Sequence, residues 1–307
     1  MNQMLTKIFK DMNSGAQLLF LVFFSILGYL FGGILSGLVV VLLDGNKVFM
    51  DVSSYSLTSL RLSQVISTVC WLLLSSILYL YLFQENGRNF LKIRNISSGW
   101  IILLTILLVF AVQPLVGFLG AINHSVNFPE SLASVEQAFK NMEEMASSMV
   151  AQMLADKSIS GILINLFIIA VLAAVIEEIF FRGCLQQIIL KIVKNKHVAI
   201  WITAIIFSII HMQFYGFLPR VLLGALLGYL FVWTSNLWVP IIAHFVNNFT
   251  AVVLQIAYYG TPQYERIENF DLNEDMWILP LGILFSAIII YFIIKHTKAK
   301  DVISLEI

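Results

Sequence analysis

Apolar positions along this chain fall in long unbroken blocks, not in the alternation of strands or the one-sided stripe of soluble helices. An apolar run of roughly 18 residues is long enough to cross a ~30 Å hydrocarbon core as a helix. Eight stretches are read as spans, at about 17–43, 64–83, 100–120, 161–182, 197–215, 219–234, 237–257 and 277–294. The first runs from near Leu18 to about Leu43, longer than the ~7–15 apolar residues of a signal peptide. The expected fold is therefore all-α, a polytopic membrane helix bundle of about eight transmembrane helices. The stretch "FPESLASVEQAFKNMEEMASSMVAQMLADKSIS", between the third and fourth spans, is acidic, Met-rich and amphipathic, which predicts an interfacial or extramembrane helix. The stretch 183–196, "GCLQQIILKIVKNK", either extends the fourth helix or lies along the membrane surface. Four regions follow: 1–125 with spans one to three, the amphipathic segment 126–160, a core of four spans over 161–257, and 258–307 with an acidic loop, the last span and a basic tail.

Composition strengthens this reading. Of 307 residues 59% are hydrophobic and 12% charged, about half the charge of a soluble domain, and the mean hydropathy is +0.89. The net charge is zero and no basic block is present, so nothing points to nucleic acid. Cys70 and Cys184 lie in or beside apolar segments and read as buried thiols rather than a disulfide framework. With the amino terminus inside, Lys7, Lys10, Arg88, Lys92, Arg94, Arg182, Lys191, Lys194, Lys196, Lys295, Lys298 and Lys300 are internal. Only Lys47, Arg61, Lys140, Lys157, Arg220 and Arg266 then fall outside. The positive-inside rule favours this orientation, with both termini cytoplasmic. Small-residue spacings at Gly28/Gly32, Gly33/Gly37 and Gly224/Gly228 predict close helix approach, and Pro114 and Pro240 predict a kink or a helix start.

Ionisable residues inside the spans are few and expensive, about 2.5–3.5 kcal/mol each at helix centre on insertion scales. The fourth span carries "EEIFFR", in which Glu178 and Arg182 are four apart and can pair on one helix face. Glu177 is rotated by about 100° from that face, so one carboxylate is expected to pair and the other to be available for chemistry. The fifth span places Phe207 one turn before His211, and the seventh places His244 and Asn248 four apart. Two imidazoles, an amide and a carboxylate suit hydrolysis: the carboxylate takes a proton from water, and the others orient that water or stabilise an oxyanion. The same four groups could instead hold a zinc ion with an open position for water. His124, His197 and His296 lie in loops or at helix ends and read as solvated. No H-E-x-x-H helix and no G-x-S-x-G elbow occurs.

The ordered set E-E-x-x-x-R at Glu177, Glu178 and Arg182, F-x-x-x-H at Phe207 and His211, and H-x-x-x-N at His244 and Asn248 resembles the CPBP family (CAAX protease and bacteriocin-processing, also called Abi). That family includes type II CAAX prenyl endopeptidases and lysostaphin-resistance-like bacterial proteins. The resemblance covers about residues 160–257. It implies an intramembrane endopeptidase in which Glu177 is the base and His211 its partner on the water. His244 and Asn248 would form the oxyanion side or complete a Zn2+ site with Glu177 and His211, while Glu178, Arg182 and Phe207 support them. The implied partners are a peptide or membrane-protein substrate and the lipid bilayer, and the implied location is a bacterial cytoplasmic membrane. A non-catalytic scaffold or bacteriocin-immunity protein of the same family is the alternative, and an ion-coupled transporter a more distant one. For Glu177 and His211 to reach one depth, either the fourth helix continues past Arg182 or the fifth starts outside the bilayer.

Overall fold

The computed structural model describes residues 9–45, 54–95 and 98–303, and these are helical with no β-strand among them. Among the described residues seven helices are long and apolar enough to cross a membrane: α1 Ser14–Asp44, α2 Leu57–Phe83, α3 Gly99–His124, α5 Ile159–Val193, α7 Phe217–Thr234, α8 Trp238–Tyr258 and α10, whose apolar part is Ile278–Thr297. The amphipathic segment holds α4, Ala133–Leu154. The predicted fifth span is shorter than expected: α6 covers Lys196–Ile209, and the chain is irregular from Ile210 to Gly216. Fourteen residues rise about 21 Å, short of a hydrocarbon core. A short helix, α9, Pro262–Glu268, precedes α10. Lys7 and Lys47, used above for orientation, lie outside the described residues, as do the side chains of Lys298 and Lys300.

Local chemistry sets several helix ends. Asn13, Ser56 and Ser158 cap α1, α2 and α5, each side-chain oxygen accepting a bond from a first-turn backbone N–H. Gly45 follows α1 at φ 69°, and Lys194 closes α5 at φ 54°. The chain divides into two compact units, residues 1–93 with 145–199, and residues 94–144 with 200–307.

The first unit packs α1 against α2 at the Gly28/Gly32 spacing. A β carbon on Gly28 would collide with the Cys70 carbonyl oxygen, and one on Gly32 would sit 3.0 Å from the Cys70 β carbon. Gly33 faces open space, so the second predicted spacing makes no close approach there. Gly28→Leu is therefore expected to destabilise the protein by about 1–3 kcal/mol through overpacking, whereas Gly33→Leu should leave it nearly unchanged. Thermal unfolding of both variants in detergent checks this. Polar contacts tie the same unit together: Arg61 donates to Asn165 and Asp156, Asn165 donates to the Met153 carbonyl, and Tyr79 donates to Gln17. On α1, Leu19 and Leu42 are 72% and 82% exposed. Side chains of this kind on a 31-residue apolar helix have lipid as their natural neighbour.

The second unit has a core of Ile101, Leu104 and Leu108 from α3, Leu227 and Leu230 from α7, Val239 and Ala243 from α8, and Ile293 from α10. A smaller cluster joins Ile200 and Ala204 of α6 to Val221 and Ala225 of α7. The α3 winding is interrupted at Val112, as Pro114 predicted, because proline cannot donate to the carbonyl one turn back. Gly282 of α10 fits against this interruption: a β carbon there would lie 2.9 Å from Pro114 Cγ. Pro240 lies in the first turn of α8, where its missing N–H costs nothing.

Candidate catalytic residues

Glu177, Glu178 and Arg182 belong to the first unit. They do not mark a helix end: α5 runs from Ile159 to Val193, so Glu177 stands eighteen residues after its start and sixteen before its finish. The continuation of this helix past Arg182 is the first of the two possibilities raised by the sequence. Glu178 and Arg182 are both fully buried, and Arg182 Nη1 donates to Glu178 Oε1 at 2.7 Å, the i,i+4 pair that the spacing predicts. The guanidinium carbon also stands 5.9 Å from the Phe181 ring centroid. Glu177 is half-buried and lies off the face that carries this pair. The α5 backbone widens to π winding over Leu166–Leu172 and again over Ile179–Leu185, directly after the two glutamates. π winding is rare, occurs mostly as single-turn bulges inside α-helices, and is frequent at functional sites; a further π segment lies at Val69–Leu73 of α2.

Phe207, His211, His244 and Asn248 belong to the second unit, which brings three of their rings together. The Phe207 ring is 4.9 Å from that of His211 and 5.9 Å from that of His244, edge-on to both. Gly224 of α7 makes room for it: a β carbon there would press to 3.3 Å of the Phe207 ring and 3.2 Å of the Ala204 α carbon. His211 lies two residues beyond α6, in a turn completed by Met212 at φ 55°. A left-handed residue that is not glycine costs about 1–2 kcal/mol, so its surroundings must hold it.

One bond fixes the chemistry of His211. Its Nδ1 is 2.7 Å from the Phe207 carbonyl oxygen, which can only accept. Nδ1 therefore carries the proton, and in the neutral ring Nε2 keeps its lone pair for a water proton or a metal ion. His244 is 7% exposed, Asn248 is half-buried, and their spacing puts both on one face of α8.

Three polar residues of this unit were not singled out in the sequence. Gln113, beside the Pro114 interruption, donates to Asn247 at 3.4 Å, and Asn247 reaches Asn248 at 3.4 Å. Asn123, at the end of α3, bonds the chain that follows His211. Gln113 and Asn123 are amides in or beside an apolar stretch, and Asn247 adjoins the motif residue Asn248; those positions were the signal the sequence held. Of the histidines read as solvated, His124 and His197 are exposed, whereas His296 is half-buried with Nε2 inside. Among the described residues no group of three or more His, Cys, Asp or Glu is placed to hold a metal ion.

Fold and composition define the class: an integral membrane protein, all-helical among the described residues, with ionisable groups on its apolar helices. Residues 159–250, a segment that contains all seven motif residues, match the family model described as type II CAAX prenyl endopeptidase Rce1-like. Over 114 residues, 36% of the chain, the sequence is 31% identical to the uncharacterized protein YpbD of Bacillus subtilis (strain 168), covering 55% of it. Over 98 residues, 32% of the chain, it is 26% identical to "Putative membrane peptidase YdiL" of the same organism, covering 40% of that protein. The chain thus spans about half the length of the curated relatives it matches. No solved structure matches it.

Proposed function

We propose that this protein is an intramembrane endopeptidase that hydrolyses a peptide bond in a membrane-associated peptide or protein. The observation that carries the reading is the family match over residues 159–250, which encloses the glutamate, both histidines and the asparagine of the three motifs. The Nδ1–H form of His211 supports it independently, because a bare Nε2 is what a water-orienting imidazole needs.

In this reading the Glu177 carboxylate takes a proton from water while His211 Nε2 accepts a hydrogen bond from the same molecule. The water oxygen bonds to the substrate carbonyl carbon, and the carbonyl oxygen gains the negative charge. His244, donating a ring N–H, and Asn248, donating its amide N–H, stabilise that charge. The C–N bond then breaks, and the proton held by Glu177 passes to the departing amine. Glu177, His211, His244 and Asn248 are the residues that would hold a zinc ion in a second form of the proposal, although among the described residues no three His, Cys, Asp or Glu are grouped to hold one. Bound there, it would supply a more acidic water. The protein is placed in a bacterial cytoplasmic membrane with both termini inside, an arrangement that needs α6 to complete an eighth crossing.

The test compares membrane and secreted peptides from cells making the wild type, His211→Ala and His244→Ala. Peptides produced by the wild type should disappear in both variants while the folded protein stays at normal level. Persistence of the products in both variants would leave a non-catalytic membrane scaffold as the function. Metal analysis of the purified wild type, with and without a chelator, separates the two forms: stoichiometric zinc and loss of hydrolysis on chelation support the metal form.

A further inference from the structure

We infer that Asn123 is a positioning residue for His211, acting through the irregular segment that joins α6 to α7. The inference rests on the proposed role of His211 and concerns a residue outside the three motifs.

The segment from Ile210 to Gly216 has neither helix nor strand to satisfy its backbone. In an apolar chain an unmet N–H or C=O is costly, so the partners of this segment determine whether it holds one shape. Asn123, at the end of α3, supplies one of them and a partner for the first turn of α7. Its Nδ2 donates to the Phe214 carbonyl at 2.9 Å, and its Oδ1 accepts from the Leu218 N–H at 2.8 Å. The side chain is 2% exposed, so water does not compete for either bond. One planar amide thereby clamps the segment on both sides of Gly216.

The second bond has a further consequence. The α7 helix starts at Phe217 with Gly216 as its cap, and Gly216 has no side chain to meet the first-turn N–H groups. Asn123 meets one of them from another helix, taking the place of the missing cap. It thus sets where α7 begins relative to the turn that carries His211. Ser208, on the last turn of α6, donates to the Phe217 carbonyl at 2.9 Å and closes the segment from its other end.

Nearby rings also grip the segment. Phe214 stacks on Phe139 of α4 with centroids 5.1 Å apart, and Tyr215 stacks on His124 at 5.0 Å. These contacts hold side chains, whereas Asn123 holds backbone, and backbone path decides where the Met212 turn leaves His211. The His211 bond to the Phe207 carbonyl closes only if that turn keeps its place. The hydrogen bonds of Asn123 go to Phe214 and Leu218, neither of them a motif residue, so its effect on the chemistry passes through His211.

The test reads the ring nitrogens of His211 by 15N NMR on histidine-labelled protein in detergent, with the signal assigned by its loss in His211→Gln. Wild type should give one protonated Nδ1 and one bare Nε2. Asn123→Leu removes both bonds, and Asn123→Asp keeps the acceptor for Leu218 but loses the donor to Phe214. Both should shift His211 toward a mixture of tautomers, with Asn123→Asp intermediate. Release of the peptides that depend on His211 should fall by up to about 10²-fold in kcat at little change in KM, the scale of a misplacement of about 1 Å. An unchanged His211 signature in a folded variant overturns the inference. Loss of the folded protein in both variants also overturns it, assigning Asn123 to folding instead. If the wild type releases no peptide, the proteolytic reading fails, while the ring-nitrogen result still decides the role of Asn123.

Discussion

Glu177→Gln is expected to lower hydrolysis by about 10²–10⁴-fold, the range contributed by one positioned proton acceptor. The substitution keeps the shape of the side chain and removes only its charge and basicity. It leaves the α5 ion pair intact, because the bonded carboxylate of that pair belongs to Glu178. The Glu177 charge also acts on the buried Arg182, so folded protein is measured alongside activity, and only a fall at matched folded level is read as loss of the base. Glu177→Asp makes the complementary point. It keeps the base but withdraws it by one methylene, so activity should drop to an intermediate level. Release of the His211-dependent peptides, quantified by mass spectrometry at matched protein level, is the measurement. If Glu177→Gln retains half or more of the wild-type rate, Glu177 is not the base and water activation belongs elsewhere.

The spans were legible in the sequence because length and apolarity are the properties that a bilayer selects. Pro114 and the Gly28/Gly32 spacing were legible for a related reason: a missing N–H and a missing β carbon act locally whatever surrounds them. One helix end was left open by the sequence and one was misjudged, each for a physical cause. Arg182 looked like the inner end of the fourth span, but its charge is met inside the helix by Glu178, so the winding continues to Val193. The apolar residues after Ile209 looked like the end of the fifth span. Phe214 and Tyr215 instead spend their apolarity on Phe139 and His124, contacts that periodicity cannot reveal.

In the candidate site, the Glu178–Arg182 pair was legible from its i,i+4 spacing. The His211 bond to Phe207 was half-legible, since the motif put the two residues one turn apart without saying which atom would accept. Asn123 was not legible at all. Its partners lie 91 and 95 residues away in sequence, and no local pattern encodes a bond of that range. The π windings of α5 were not legible either.

The other large effect falls on stability. Arg182→Met and Glu178→Leu, made singly, should each destabilise the protein by about 3–5 kcal/mol, because each leaves an opposite charge buried without its mate. Both side chains are fully buried and joined at 2.7 Å, so neither can reach water when the other is removed. The double variant should be far milder than the sum of the two. Replacing a buried pair by apolar groups of similar volume is often neutral or stabilising, since it also removes the desolvation cost of both ions. A double-mutant cycle on unfolding in detergent would measure this, and a coupling of several kcal/mol is expected. Additive single effects would mean that the two side chains act independently and that the pair does not stabilise α5. The cycle also separates the pair from the chemistry. If the double variant folds well and still hydrolyses, Glu178 and Arg182 serve to seat a charged helix among apolar neighbours. If it folds well and is inactive, the pair sets the placement of Glu177 on the adjoining face.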